Sequence, residues 1–228
     1  MNIEDLYSLY SKNYLVDTDT RTIRPNSIFF SLKGDNFNGN SFAKKAKELG
    51  ARHCVIDEAE YEIEGVTILV NNVLETLQSL ATYHRQKLRI PIIGITGSNG
   101  KTTTKELILA VLKTQFKATA TRGNLNNHIG VPLTLLSFTN ETEIGIVEMG
   151  ANHQKEIEFL ATICEPDLGY ITNFGKAHLE GFGGEEGVIK GKSELYTYLK
   201  EHNKTAIINP EDPIQLELTS SLNRIVLN

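Results

Sequence analysis

The chain has 228 residues and 25.4 kDa, with apolar residues at 40% and charged residues at 22%, which excludes a disordered chain and leaves room for two globular domains. A formal charge of −5, a pI near 5.7 and the lack of any Lys/Arg cluster argue against a nucleic-acid-binding surface. Cys54 and Cys164 sit far apart inside apolar runs, as small core residues of a reducing compartment do, and no leader or apolar run long enough to span a bilayer is present, so the expectation is a cytoplasmic protein without a membrane span.

Residues 1–88 read as a small α/β unit. Ile3, Leu6, Tyr7 and Tyr10 recur at helical spacing. Ser27 to Leu32 reads as a strand running into a turn at Lys33-Gly34-Asp35, and Ser41 is placed to cap a helix that runs through Leu49 and stops at Gly50. Arg52–Ile56 and Val66–Val70 are two more β-rich runs. Val73–Leu88 predicts a long helix with Leu77, Leu80, Ala81 and His84 on one side. Pro91 then breaks the chain, which puts a domain boundary at 88/89, the second domain running over 89–228.

From residue 91 strands and helices alternate. The expected strands are 91–95, 117–121, 144–149, 168–172, 205–208 and 224–227. The expected helices are 101–113, 131–137, 153–164, 185–200 and 211–219, the first with Leu107, Ile108, Val111 and Leu112 on one side. Such alternation predicts a mostly parallel sheet covered on both faces, with ligands at the carboxyl ends of the strands. No internal repeat or low-complexity linker interrupts it.

The chemistry centres on the stretch from Pro91 to Thr104. An apolar strand stops in Gly97-Ser98-Asn99-Gly100, and Lys101 and Thr102 open a helix. Backbone N–H groups of such a turn point at an anion, the lysine adds a point charge, and the hydroxyl can ligate Mg²⁺. The usual phosphate-loop pattern has a glycine where Ile95 stands, so the loop is a shorter T-G-x-x-G-K-T form. A nucleoside triphosphate site is the reading. Glu148 ends the strand 144–149, where a carboxylate can hold Mg²⁺ together with Thr102.

Three further signals are less specific on their own. Asn173 ends the next strand and is followed by His178, and a lone histidine is more often structural than a ligand. Lys192 falls on the apolar stripe of Val188, Ile189, Leu195, Tyr196 and Leu199. It is either a buried amine of lowered pKa or a snorkelling cation. The segment Thr121 to Thr134 holds Asn124, Asn126 and Asn127 at a strand's carboxyl end, as a plain turn or as amides facing a polar ligand.

Taken together, these segments resemble the Mur ligases. The resemblance rests on Thr96-Gly97-Ser98-Asn99-Gly100-Lys101-Thr102, Gly123 to Thr134, Glu148-Met149-Gly150-Ala151-Asn152-His153 and Thr172 to Gly183, and it covers nearly the whole chain. Its particulars are nearest to the branch that joins D-Ala-D-Ala to a UDP-MurNAc-tripeptide. The phosphate loop alone is shared across the superfamily, folylpolyglutamate synthases included.

The resemblance implies an ATP-dependent amide ligase of peptidoglycan precursor synthesis, working through an acyl phosphate. It implies ATP held by Thr96, Gly97, Ser98, Asn99, Gly100, Lys101, Thr102 and Thr103, with Lys101, Lys192 and His178 catalytic. It implies two Mg²⁺ sites drawn from Thr102, Glu148, His178 and Lys192, with Lys192 carbamylated. The substrate residues it implies are Thr20, Arg21, Lys33 and Gly34 in a UDP-precursor-binding first domain, and Asn124, Asn126, Asn127 and Asn173 in the central P-loop domain. A monomer is expected, with no nucleic-acid partner. The sequence departs from the family at Phe37-Asn38-Gly39-Asn40, where many members have Phe-Asp-Gly-His, and at His128, often acidic. It is also shorter than family members, which carry a longer central domain and a third domain, so a C-terminally truncated chain is expected. The rival functions are another ligase of the superfamily, or a UDP-precursor-binding module without turnover.

Overall fold

A computed structural model describes residues 1–176 and 178–227. The chain divides into two compact units, Met1–Lys87 and Leu88–Asn228.

In the first unit α1 (Ile3–Tyr10) opens under an Asn2 cap, whose Oδ1 accepts the Asp5 N–H at 2.8 Å. The strands β1 (Val16–Asp17), β2 (Ile28–Phe30), β5 (His53–Ile56) and β6 (Thr67–Leu69) form one parallel sheet in the order β1-β2-β5-β6. Between β2 and β5 lie the antiparallel pair β3 (Lys33–Gly34) and β4 (Phe37–Asn38), then α2 (Ala43–Glu48). Phe29, Cys54 and Ile56 alternate onto the face where Ala43 and Ala46 of α2 pack. Burial pushes the Cys54 thiol up to about 11, so this is an inert core residue. The unit ends in α3 (Val73–Leu88), with Leu77, Leu80, Ala81 and His84 all buried.

Ser41 does not cap α2. Its hydroxyl donates to the Asn38 carbonyl at 2.8 Å. A 3₁₀ turn over Gly39–Phe42 leads into the helix, and the Asn38 side chain caps that turn instead.

The second unit carries β7 (Ile92–Thr96), α4 (Lys101–Leu112), β8 (Ala118–Ala120), α5 (Gly130–Leu135), β9 (Ile144–Glu148), α6 (Glu156–Cys164) and β10 (Leu168–Ile171). It continues through α7 (Leu179–Phe182), α8 (Glu185–Glu201), β11 (Thr205–Ile208), α9 (Pro213–Leu218) and β12 (Asn223–Val226). All six strands are parallel, in the order β12-β11-β10-β7-β9-β8. From β7 the chain goes out to the β8 edge, returns to β9 and then crosses to β10 on the other side of β7. The carboxyl end of β7 is therefore a topological switch point, where such sheets take their ligands.

Both sheet faces are covered. Ile93, Ile95, Ala120 and Ile146 pack against Ile108, Leu109 and Leu112 of α4. On the opposite face Gly169 of β10 lies against Leu195 and Leu199 of α8.

Two helices differ from their sequence readings. Leu107 and Val111 of α4 are 64% and 69% exposed, whereas Lys105 is fully buried. The inward stripe is Lys101, Lys105, Ile108, Leu109 and Leu112, because the two lysines at i and i+4 set which side of the helix meets the sheet. The helix expected from residue 153 begins at Glu156. The Glu156 carboxylate takes the Asn152 and His153 N–H groups at 2.7 and 3.2 Å, and Lys155 stands in left-handed backbone at φ +70°.

Candidate functional site

The turn after β7 is built for close approach. Gly97 has φ +138°, and a Cβ there would stand 2.0 Å from Thr172 Oγ1; Gly100 has φ +78° immediately before α4. Glycine alone takes both conformations freely. The end of β10 braces this turn from beside it. Ser98 N–H donates to the Asn173 carbonyl at 3.1 Å, Ser98 Oγ to the Gly175 carbonyl at 2.7 Å, and Thr172 Oγ1 to the Asn99 carbonyl at 2.6 Å. Asn173 donates to the Asn99 carbonyl at 3.0 Å and accepts its N–H at 3.2 Å, so its amide helps to hold the loop. Thr96 beneath is fully buried, and its hydroxyl has no partner among the described residues.

Among the described residues no side chain caps α4. The N–H groups of Lys101, Thr102 and Thr103 therefore lack intrahelical acceptors, and with the helix dipole they make an anion site. Lys101 lies folded over the turn, its Nζ donating to the carbonyls of Gly97 at 2.8 Å and Ser98 at 3.3 Å. Burial lowers its pKa, against the opposing pull of the Glu148 charge.

Glu148 is 1% exposed at the tip of β9. The β7–β9 register pairs it with Ile95, one residue before the loop's threonine. Its Oε2 accepts from Thr102 Oγ1 at 3.0 Å, its Oε1 from Asn126 Nδ2 at 2.8 Å, and its N–H donates to Thr121 Oγ1 at 2.9 Å. A carboxylate and a hydroxyl in contact are the hard oxygen donors that Mg²⁺ takes while keeping waters and phosphate oxygens for its other positions. Among the described residues no three His, Cys, Asp or Glu side chains gather as a metal-binding group. The oxygens of Thr102 and Glu148 fit a cation held between them. His178 stands exposed ahead of α7 in left-handed backbone at φ +55°.

Lys192 is 1% exposed, which excludes snorkelling. Its Nζ donates to the Ala151 carbonyl at 3.0 Å and lies 4.9 Å from the centre of the Phe182 ring. Burial first, and the Lys101 charge second, lower its pKa to about 8, against the carboxylates of Glu156 and Glu194. Two residues further along α8, the Glu194 carboxylate accepts the N–H groups of Lys155 at 2.6 Å and Glu158 at 3.0 Å. It thus supplies, from another helix, the cap that α6 lacks of its own. Lys192 and Glu194 together pin the segment 151–158 to α8.

A cleft of ≈ 790 Å³ opens beside this segment, and Lys101, Asn124, Asn126, Asn127 and His178 all line it. Glu148 adjoins it through Asn126. The Asn127 side-chain Oδ1 accepts the N–H groups of Ile129 and Gly130 at 3.1 and 2.8 Å, so it helps to start α5.

The other four expected residues lie in the first unit. Thr20 and Arg21 share a 3₁₀ turn in which Arg21 pairs with Asp19. Lys33 Nζ is 2.9 Å from carboxylate oxygens of both Asp57 and Glu58, and Gly34 follows it. The ≈ 390 Å³ cleft of that unit is lined by other residues, among them Asn2, Leu6, Ile68 and Asn72.

Sequence reasoning passed over Glu194, Lys105 and Thr121. The signal for Lys105 was its place four residues after Lys101, on one helical face. For Glu194 it was a carboxylate two residues from an inward lysine.

Comparison with known proteins bears on the same residues. Residues 95–227 match the Mur ligase middle domain, and residues 13–91 match the Mur ligase family catalytic domain. The chain is 42% identical over 202 residues to the UDP-N-acetylmuramoyl-tripeptide–D-alanyl-D-alanine ligase of Bacillus subtilis, covering 88% of this chain and 44% of that protein. The crystal structure of MurF from Acinetobacter baumannii superposes with a TM-score of 0.82 at 32% identity, over 93% of this chain and 48% of that one. MurF of Thermotoga maritima in complex with ADP gives 0.81 at 31%, over 93% and 49%. The chain spans less than half the length of these relatives.

Proposed function

The chain belongs to the Mur ligase family, and on that premise we propose that it forms the first two parts of an ATP-dependent amide ligase that joins D-Ala-D-Ala to UDP-MurNAc-tripeptide. The observation that carries this reading is the contact of Thr102 with Glu148 at the mouth of an uncapped, lysine-bearing glycine loop. The relatives that share these segments are named as such ligases. Residues 1–88 would receive the uridine nucleotide through Thr20, Arg21, Lys33 and Gly34, and residues 89–228 would bind ATP. A monomer in the cytoplasm suits such substrates. Among the described residues no helix is long and apolar enough to cross a membrane.

In the reaction the terminal carboxylate of the tripeptide attacks the γ-phosphorus of ATP, releasing ADP and leaving an acyl phosphate. The amine of D-Ala-D-Ala then attacks the acyl carbon, and inorganic phosphate departs from the tetrahedral intermediate. Nucleophile and electrophile are both anionic, so catalysis lies in neutralising charge and fixing positions. Lys101 would leave the carbonyls of Gly97 and Ser98 for the β/γ-phosphates, where the N–H groups of the turn and of α4 already point. Thr102 and Glu148 would hold Mg²⁺, whose chemistry is to neutralise the phosphate charge.

Lys192 and His178 belong to a second cation in this reading. An amine is a poor Mg²⁺ ligand. A pKa near 8 leaves part of the Lys192 side chain neutral at physiological pH, able to add CO₂ and become a carbamate oxygen donor. Asn124 and Asn126 would face the substrates from the cleft.

The test is phosphate release with both substrates and MgATP, using the chain alone and supplied with the C-terminal half of the Bacillus subtilis relative. Turnover that Lys101→Ala abolishes is expected of the completed protein, and near-normal turnover of Lys101→Ala would sink the assignment. That the chain spans 44% of that relative favours a second reading for the chain alone, precursor binding without turnover. Calorimetry separates the two: binding of UDP-MurNAc-tripeptide without binding of an ATP analogue favours the second.

A further inference from the structure

Helix α4 carries a second lysine that the chemistry above does not use. Lys105 is fully buried, four residues after Lys101 and three after Thr102. An apolar side chain there would complete the stripe of Ile108, Leu109 and Leu112, and a buried ammonium is costly unless it is paired and hydrogen-bonded. Its Nζ donates to the carbonyl of Thr121 at 2.6 Å and lies 3.0 Å from the Glu106 carboxylate.

Thr121 is where this tie leads. It follows β8 directly, is itself buried, and donates its N–H to the Ile146 carbonyl at 2.9 Å. Its hydroxyl accepts the Glu148 N–H at 2.9 Å, and the Glu148 carboxylate accepts from Thr102 on α4. The contacts therefore close a ring: α4 through Lys105 to Thr121, on to Glu148, and back through Thr102 to α4. Within this ring Lys105 is the only member that reaches from α4 to the end of β8.

We propose that Lys105 is a positioning residue for Glu148. By tying Thr121 to α4 it sets the height of the β9 tip, so that the Glu148 carboxylate and the Thr102 hydroxyl present their oxygens to one divalent cation. The inference rests on the reading of Thr102 and Glu148 as the cation pair. Loss of Lys105 leaves the turn N–H groups and Lys101 in place, so binding of nucleotide without metal is unaffected and the part of the affinity that metal supplies falls. A lysine that only stabilised the fold would weaken both together.

The experiment titrates a fluorescent ADP analogue into the whole chain, in EDTA and over a range of Mg²⁺, for wild type, Lys105→Met, Thr121→Val and Thr121→Ser. Groups that orient a metal ligand typically change metal affinity about 10–100-fold when removed. Lys105→Met and Thr121→Val are expected to raise the half-saturating Mg²⁺ concentration by about tenfold or more, with EDTA affinities within about twofold of wild type. Thr121→Ser, which keeps the hydroxyl, is expected to behave as wild type. An unchanged Mg²⁺ midpoint in both of the first two, or an equal fall of affinity with and without metal, overturns the proposal.

Amide exchange tests it without nucleotide, and Thr121→Val stands in should Lys105→Met not fold. The Glu148 N–H should exchange faster in both variants while the β10 and β11 amides keep their protection. Wild-type protection at Glu148 in a folded variant overturns the proposal. Failure of the wild type to bind any nucleotide counts against the function proposed above, and the positioning role is then decided by the exchange result.

Discussion

Replacing Lys192 by methionine should make the stability of the protein lose a pH dependence that the wild type shows. The folded chain holds this amine at about 8 against an ordinary 10.5, chiefly through burial and then through the Lys101 charge. At ~1.4 kcal/mol per pH unit, that gap corresponds to about 3 kcal/mol. Between these two values the unfolded chain binds a proton that the folded chain does not, so wild-type stability rises with pH across the window. Below about pH 8 both states are protonated and the full penalty stands. Methionine has similar volume and no charge, but it forfeits the bond to the Ala151 carbonyl, a charged hydrogen bond of about 1.5–3 kcal/mol. At pH 7 the gain and the loss nearly cancel, and the variant should lie within ~1–2 kcal/mol of wild type. By pH 10 the wild type should have gained about 3 kcal/mol relative to the variant. Urea unfolding in CO₂-free buffer at pH 7, 8, 9 and 10, with m-values checked for constancy, measures this. A stability difference that stays flat from pH 7 to 10 would refute the buried amine and restore an ammonium in contact with water.

Three further substitutions probe the scaffold around the site. Gly97→Ala drives a Cβ to within 2.0 Å of Thr172 Oγ1 at φ +138°, so a loss of about 2–5 kcal/mol is expected in urea unfolding. Gly100→Ala meets open space at φ +78° and should lose only ~1–2 kcal/mol, from backbone strain alone; equal losses at the two positions would show that the close approach to Thr172 is not what selects glycine. Glu194→Ala orphans the N–H groups of Lys155 and Glu158, for a loss of about 1–3 kcal/mol. Faster amide exchange at those two residues, with α8 unchanged, is the matching signature.

What could be read in the sequence and what could not divides along a physical line. Helix α3 and strand β11 have the bounds their residue patterns predicted, Val73–Leu88 and Thr205–Ile208, because local period and flanking breakers fix such elements. The two-residue strand β1 exists only through its pairing with Ile28 and Phe29, and the four-residue α7 is too short to show a period. The loop Gly97–Gly100 was legible for the same local reason, since its glycines are demanded by backbone geometry within four residues. Lys192 was half legible. Its place on an apolar stripe put it inside, but only the fold could bring the Ala151 carbonyl to its Nζ and so decide between burial and snorkelling. Helix α4 shows why the remainder was hidden. Periodicity assumes that apolar means inward, and it turned Leu107 and Val111 to the core. A helix that must aim Lys101 and Thr102 at a loop and Lys105 at a strand end has its rotation set by those polar contacts. The apolar residues then take whichever side remains, and two of them are left facing water. Glu148 meets the same obstacle at longer range. Its partners Thr102, Thr121 and Asn126 lie 46, 27 and 22 residues away in sequence. They converge on it only because β8, β9 and β7 stand side by side in the sheet, an order that no local pattern encodes.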